Sequence, residues 1–576
     1  MGRARREEQR RWAREDPDCA AIERIVWMLS STMRFRSERD GCARYSPYVV
    51  IVALWVANLL GAIETARAEP ESAHETTSTA NHREFEELQG SFESGPQVTQ
   101  ACLECHTEAA EQVQDTVHWT WSYEHPDTGQ QLGKRHVVNS FCSNVRTNEP
   151  RCTSCHNGYG WDNASFDMAD ETLVDCLSCH DTTGTYTKAP KRAGRVLEEK
   201  VRVHGKTLKP PNLGHVARNV GAPSIETCGS CHFNGGGGDG SKHGDLDSSL
   251  LDAPYELSVH MSPEGAGMGC SDCHVTRGHD MAGGRYDMTA RDRIGTGHPG
   301  RRRAAATCES CHGLQPHDGS FYIATTLNQH SDRVACQTCH IPKIARGGVS
   351  TKTFWDWSKA GRLDEGGQPI HEKNENGRTT YWSRWGEIRW DENYRPSYAW
   401  FDGDVRYTLP TDRIDPDEVV PINFFSGDHD DPEARIWPFK IMRGRQPYDA
   451  ERQRLAMMHL FGDGGTAYWK NLEWKPAIEA AMEAADLPFS GKIGFVDTKM
   501  YWAVTHMVAP ADQALSCKSC HDKSSVLSEL GGFYMPARDA HGPIDLIGRL
   551  ALAAVALAVL VHGGLRIRYH LGRRRE

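Results

Sequence analysis

The sequence predicts a mainly α-helical fold with much irregular loop, packed around groups other than its own side chains and closed by a membrane-spanning helix. Three observations predict it. Sixteen of the 19 cysteines in 576 residues fall in one pattern, C-x-x-C-H, which occurs eight times. Between the motifs Gly, Pro and Asn are frequent and long amphipathic periods are scarce, so that stretch lacks the material for an ordinary side-chain core. A twenty-residue apolar run, "LIGRLALAAVALAVLVHGGL", occupies 546–565 near the C-terminus.

The pattern is the signature of c-type haem attachment. Two thiols add to the two vinyl groups of one haem, and the adjacent histidine turns its imidazole onto the iron. The pairs are Cys102 with Cys105, Cys152 with Cys155, Cys176 with Cys179, Cys228 with Cys231, Cys270 with Cys273, Cys308 with Cys311, Cys336 with Cys339 and Cys517 with Cys520. They are followed by His106, His156, His180, His232, His274, His312, His340 and His521. Zinc sites and disulfides also use paired cysteines, but neither demands a histidine after every second one. His makes up only 28 of 576 residues, which excludes coincidence. Eight covalently attached haem c groups are the expected count. Haem macrocycles then form much of the core, and a chain deprived of them does not fold.

In bacteria haem c is attached outside the cytoplasmic membrane, so an export signal is expected. Residues 1–68 contain one: basic residues, an apolar core from Tyr48 to Ile63, then Ala66 and Ala68, with cleavage after Ala68. Residues 1–32 are long and polar for a signal, so Met33 is the expected start; an uncleaved anchor is the alternative. Cys19 and Cys42 fall in this leader, leaving Cys142 as the lone mature thiol outside a motif. At the other end, about twenty apolar residues suffice to span a bilayer. The basic tail 566–576, "RIRYHLGRRRE", favours the cytoplasm. The catalytic domain, 69–540, is thereby expected on the periplasmic face of the inner membrane. A buried core helix, or a helix whose His562 ligates a membrane cytochrome b, are the alternatives.

Seven motifs fall between Cys102 and His340, and the eighth follows a motif-free stretch, 341–516, that holds most of the 16 Trp. "TFWDWSKAGR" and "YWSRWGEIRW" read as aromatic packing against the haem block, and "WKPAIEAAMEAADLPF" as a helix. The uneven gaps argue against a tandem repeat. Without 1–68, which carry twelve Arg and nine acidic residues, the net charge moves from −11 to −14. No nucleic-acid partner is expected, and an anionic substrate needs a local positive patch.

A haem that only passes electrons is capped on both faces, whereas one that does chemistry keeps a weak or exchangeable sixth ligand. Twenty histidines lie outside the motifs, so supply does not limit capping. Local spacing singles out His118, His260, His279, His317, His330 and His506 as distal ligands, with a seventh among His204, His215, His243 and His298. His74 and His82 sit in a polar, loose-looking start and are set aside, as are His562 and His570 in the tail.

Four strings resemble the octahaem tetrathionate reductase family of multihaem cytochromes c: "HVVNSFCSNVRTNEPRCTSCHNGYGWDNASFDMADETLVDCLSCHDTTGTY", "CHFNGGGGDGSKHGDLDSSL", "TKTFWDWSKAG" and "IWPFKIMRGRQPYD". The resemblance covers roughly 95–540. It implies a haem arrangement related to hydroxylamine oxidoreductases and pentahaem nitrite reductases, with seven bis-histidine haems. The haem on Cys152, Cys155 and His156 would be the active one, with a lysine from elsewhere as sixth ligand. The implied reaction is two-electron cleavage of tetrathionate to thiosulfate, with nitrite and hydroxylamine as further small substrates. The donor would be a membrane quinol-oxidising cytochrome; a pure electron carrier is the rival reading. Ammonifying nitrite reductases often carry C-x-x-C-K at the catalytic haem, but here all eight motifs end in His.

Lys242 is the candidate sixth ligand, with Lys188 and Lys191 in reserve. Gly235–Gly238 lack Cβ and let the loop take conformations closed to other residues, bringing Asp239 and Lys242 over the second haem. Asp239 would hold the freed ammonium or relay protons. The resemblance places Cys142 and Asn139 beside that haem, where a thiol is able to exchange with a sulfur substrate. A buried, inert cysteine is the plain alternative.

Overall fold

A computed structural model describes residues 80–572, apart from 204–205, 287, 296–305 and 463. The expected leader with its cysteines and Met33, together with His74, His204 and His298, lies outside the described residues.

The motif-rich half is built as expected from short helices and loops. Its helices include α1 (Gly95–Leu103), α2 (Ile225–His232), α3 (Cys308–His312), α4 (Phe321–His330) and α5 (Cys336–His340). Each motif sits on a helical turn, which points the histidine away from the two thiols. In α2 a capping box fixes the start: Ser224 and Thr227 bond reciprocally. Side-chain clusters in this half are small, such as that of Leu88, Val98, Leu177, Leu213, Val216 and Ala217.

The motif-free half corrects the expectation of a mainly α fold. It is a nine-stranded mixed sheet. The strands are β1 (Thr351–Asp356), β2 (His371–Lys373), β3 (Thr379–Trp382), β4 (Gly386–Asp391), β5 (Ser397–Phe401), β6 (Val420–Pro421), β7 (Arg435–Asp449), β8 (Arg454–Leu455) and β9 (Ile493–Ala503). Their order is β6-β9-β7-β1-β4-β3-β2, with β5 and β8 also on β7. β7 runs antiparallel to β9 over eleven pairs and parallel to β1 through Arg443↔Phe354. β9 shows why: Val496, Thr498, Met500 and Trp502 are buried, and the residues between them are not, the period of two that a half-buried strand requires. β7 is central and buried along nearly its whole length, so no alternation marks it.

The Trp-rich strings do pack, but mostly on one another and on the sheet. The Trp355 and Trp357 rings stack with centroids 4.7 Å apart, and Trp474 meets Trp357 edge-on. The expected helix is α6 (Trp474–Ala484), burying Ala477, Ile478, Ala481 and Met482 on one face. The sheet core extends into the motif-rich half through Leu132, Val137, Val138 and Phe141, with Cys142 packed against it. The final element, α7 (Gly542–Gly572), has 31 residues, a mean hydropathy of 2.3 in its most apolar window and no part of that window buried. At 1.5 Å per residue it is about 46 Å long, enough to cross a bilayer.

Candidate functional site

Seven of the eight motif histidines face a second histidine. The pairs are His106–His82 at 6.2 Å between ring centroids, His180–His279 at 6.4 Å, His232–His118 at 6.1 Å and His274–His506 at 6.3 Å. The others are His312–His260 at 5.9 Å, His340–His317 at 6.3 Å and His521–His330 at 6.1 Å. Metal–imidazole bonds of about 2.0 Å on opposite faces of one iron, plus the half-widths of two rings, require centroids about 6 Å apart. All six histidines singled out by spacing are in these pairs. The seventh is His82, not His215 or His243. It belongs to the stretch that looked loose. Nearness in sequence does not decide the other pairings: His330 precedes the Cys336 motif but faces His521, and His279 follows the Cys270 motif but faces His180.

The remaining ring nitrogens fit the same use. Nδ1 of His180 reaches the Gly221 carbonyl, that of His274 the Ala282 carbonyl and that of His521 the Pro536 carbonyl. Across from them, Nδ1 of His279 meets Gln112 Oε1, that of His317 meets Asn328 Oδ1 and that of His330 the Thr326 carbonyl. His506 is backed by the buried carboxylate of Asp245 at 3.3 Å. Such bonds fix tautomer and ring orientation and leave Nε2 for a metal. Among the described residues no cysteine is in a disulfide. Neighbouring motifs approach through them: Cys102 meets Cys176, Cys155 meets Cys231, Cys228 meets Cys270 and Cys308 meets Cys336. Cys179 lies near Cys228, Cys273 near Cys311 and Cys339 near Cys520. The motifs therefore run in the order first, third, fourth, fifth, sixth, seventh, eighth, and the second branches from the fourth.

Cys105, Cys155, Cys273 and Cys517 are the exposed motif cysteines. The Cys105 amide bonds the Cys102 carbonyl at 3.2 Å. Cys102 and Cys105 still share one helical turn, the spacing that a single haem requires.

His156, in the second motif, is the exception among the histidines. Its ring lies among Trp119, Trp121, Trp161 and Phe166. Nε2 bonds the Trp119 carbonyl at 2.7 Å, and Nδ1 is buried without a partner. Burial pushes the imidazole down to about 3, so it is neutral, as a metal ligand must be.

The glycine-rich loop leaves α2 and folds back onto this motif. Gly236, Gly237 and Gly238 have φ of 77°, 101° and 152°. A Cβ on Gly236 would meet the Phe141 ring at 2.9 Å, and one on Gly235 would meet Lys242 Cδ at 3.1 Å. Glycine is needed here for backbone conformation and for close approach to Phe141 and Lys242. Lys242 lies 4.8 Å above the Trp502 ring. Burial first, then Lys134 and Arg285, hold its amine far below the ordinary lysine range, while Cys155 and Cys142 act in the opposite sense. His243, beside it, meets Trp502 edge-on at 4.8 Å.

Cys142 is brought to the same place, within electrostatic reach of Cys152, Lys242 and Lys352. Burial pushes its thiol up despite Lys352, Arg151 and Lys242. Asn139 shapes the turn beneath it: Oδ1 accepts from the Phe141 and Cys142 amides at 2.9 and 3.0 Å, and Nδ2 donates to the Ser143 carbonyl. Asp239 corrects the expectation. Its carboxylate accepts from the Ser248 amide at 2.9 Å and from the Ser248 hydroxyl, so its partner is that serine and not the Lys242 ammonium. The two reserve lysines are placed differently. Lys188 pairs with buried Asp175 at 2.8 Å and donates to the His156 carbonyl, and Lys191 is exposed.

Two lysines of the sheet were not foreseen. Lys352 on β1 and Lys440 on β7 are fully buried. Lys352 donates to the Gly236 carbonyl at 2.9 Å, under a cage of Trp355, Trp385 and Trp390. Burial pushes its amine down to about 7, with Arg151 and Arg378 adding to the effect and Cys142 opposing it.

Comparisons with known proteins agree with this geometry. The family described as "Cytochrome c bacterial" matches residues 352–524. An uncharacterized protein of Archaeoglobus fulgidus is 27% identical over 175 residues, 28% of this chain and 54% of its own. The chain thus spans about half the length of that relative. A crystal structure of octaheme cytochrome c from Shewanella oneidensis superposes with a TM-score of 0.67 and 38% identity, covering 77% of this chain and 94% of that one. With seven facing histidine pairs and free motif cysteines beside it, that likeness shows that the chain belongs to the octahaem family of multihaem cytochromes c and binds haem c covalently.

Proposed function

We propose that the chain carries eight haems and reduces tetrathionate, or a related small substrate such as nitrite or hydroxylamine, at the second motif. Cys152, Cys155 and His156 would hold the active haem, with the Lys242 amine as its sixth ligand. His82, His118, His260, His279, His317, His330 and His506 would cap the other seven. The observation that carries this reading is the asymmetry: seven motif histidines have a histidine opposite, and His156 instead has a buried lysine loop nearby. When bound, haem supplies one-electron redox chemistry and, at an exchangeable position, a Lewis-acidic iron.

The residues around Lys242 do the rest. Burial lowers its proton affinity and so favours the neutral amine, the form that ligates a metal. Lys134, Arg285 and Arg151 give the site the positive field that an anion needs in a chain of net charge −11. Tetrathionate takes up two electrons, its central S–S bond breaks, and two thiosulfates leave with no proton required. The order of the motifs offers the electrons a row of histidine-capped positions with the second motif as a side branch. The donor would be a quinol-oxidising membrane cytochrome, and α7 would hold the chain to the periplasmic face of the inner membrane.

Electron paramagnetic resonance of the oxidised protein tests the site. Lys242→Ala removes one low-spin signal and adds a high-spin one, leaving seven bis-histidine signals. An unchanged spectrum, with no reoxidation of the reduced protein by tetrathionate, nitrite or hydroxylamine, makes the chain an electron carrier.

A further inference from the structure

The loop that bears Lys242 is held from beneath by the sheet. Lys440 is fully buried on β7, and its Nζ donates to the Ser241 carbonyl at 3.1 Å, to the Lys242 carbonyl at 2.9 Å and to the Thr351 hydroxyl. Thr351, fully buried on β1, gives its one proton to the His243 carbonyl at 3.0 Å, so it accepts from Lys440. The Lys352 amide reaches the Ser241 carbonyl at 3.2 Å, and the Lys352 side chain holds Gly236. A lysine amine is a donor of two hydrogen bonds when neutral and three when protonated. Here Nζ lies within reach of three acceptors, two of them on the residue pair that launches the Lys242 side chain.

We infer that Lys440 is the positioning residue for Lys242: by gathering the Ser241 and Lys242 carbonyls and the Thr351 hydroxyl, it fixes the backbone from which the ligand amine extends. This rests on the proposed role of Lys242, although the clamp itself does not. Two features make the arrangement more than a tie between loop and sheet. Gly236–Gly238 take left-handed conformations and supply no side chains of their own to anchor the loop. And the clamp acts at Lys242 itself, where a shift of about 1 Å is enough to break a metal bond near 2 Å. Burial holds the Lys440 amine well below the ordinary lysine range, with Lys352 and Lys242 adding to the effect and Asp245 and Asp391 opposing it.

The haem-loaded, full-length protein tests this with Lys440→Met, which keeps side-chain length but no donor, and with Thr351→Val as a milder change. Hydrogen exchange in the peptide spanning Ser241–His243 is expected to rise on the order of tenfold in Lys440→Met, the loss of about one net hydrogen bond, and less in Thr351→Val. The low-spin resonance that Lys242→Ala abolishes is expected to weaken in Lys440→Met, with a high-spin signal appearing while the bis-histidine signals persist. Unchanged exchange in both variants overturns the clamp. Raised exchange with that resonance at full intensity overturns its positioning role. If Lys242→Ala removes no resonance, the ligand reading fails and the positioning role with it, while the exchange data still decide whether Lys440 holds the loop.

Discussion

Lys352→Met is expected to flatten the rise of folding stability between pH 7 and pH 10. Burial holds the Lys352 amine at about 7 against an ordinary 10.5. The folded state therefore releases a proton that the unfolded chain keeps throughout that window, and stability must rise with pH across it. At about 1.4 kcal/mol per pH unit, and allowing for partial titration at both ends, the rise attributable to this one side chain is about 3.5 kcal/mol. The Trp355, Trp385 and Trp390 faces favour the ammonium and oppose the effect by about 2 kcal/mol at most, leaving its sign unchanged. Methionine has nothing to titrate. Its loss of the bond to the Gly236 carbonyl lowers stability by about 1 kcal/mol at every pH and cancels from the slope. The assay is urea unfolding followed by far-ultraviolet circular dichroism at one-unit pH steps, with wild type and variant compared at each. A variant that keeps the wild-type slope refutes the assignment of a neutral, buried amine at this position.

Four further outcomes are expected. Mass spectrometry of the mature chain shows eight haem additions on a chain starting at Glu69; fewer means that some motifs are decoys. Asp245→Asn raises one midpoint potential by an amount on the order of tens of millivolts in spectroelectrochemical titration, because Asp245 places a buried carboxylate behind His506 where His279, His317 and His330 have neutral acceptors; unchanged potentials refute it. Cys142→Ser keeps tetrathionate turnover within a few-fold, since burial holds the thiol protonated and the thiolate is the nucleophile; a hundredfold loss establishes covalent chemistry at that sulfur. Deletion of 542–576 moves the protein from the membrane to the soluble fraction, and a truncated chain that still sediments with membranes refutes the anchor.

How much of this was legible in the sequence depends on the range of the interaction. Haem attachment is written within five residues, and the octahaem likeness agrees with the covalent haem c that it implies. The pairing of histidines is not local: His118 faces His232 and His506 faces His274, and the loop paths that join them leave no periodic trace. His82 was hidden by composition, since a polar approach segment looks the same whether or not one of its residues is held. The sheet was missed for a different reason. β7 contains Pro438, Gly444 and Pro447, residues that argue against a central strand. The carbonyls of the two prolines accept from Val504 and Ala456, outside the regular ladder.

The same distinction explains Lys242 and its supports. A lysine after a glycine run is conspicuous, so the loop drew attention. Lys352 and Lys440 are single lysines in aromatic strings, and a lysine in a strand normally reads as a solvent-facing residue. Only the parallel register of β1 on β7 turns both toward one loop, more than a hundred residues upstream of either. Histidine was available for the second motif as well: His243 adjoins Lys242 and is equally enclosed. Both side chains lie against Trp502. Lys440 and Lys352 grip the backbone on the Lys242 side of that pair, and Thr351 holds the His243 carbonyl. On the proposed ligation, the grip of Lys440 on the Lys242 carbonyl would favour the amine over the imidazole at this motif.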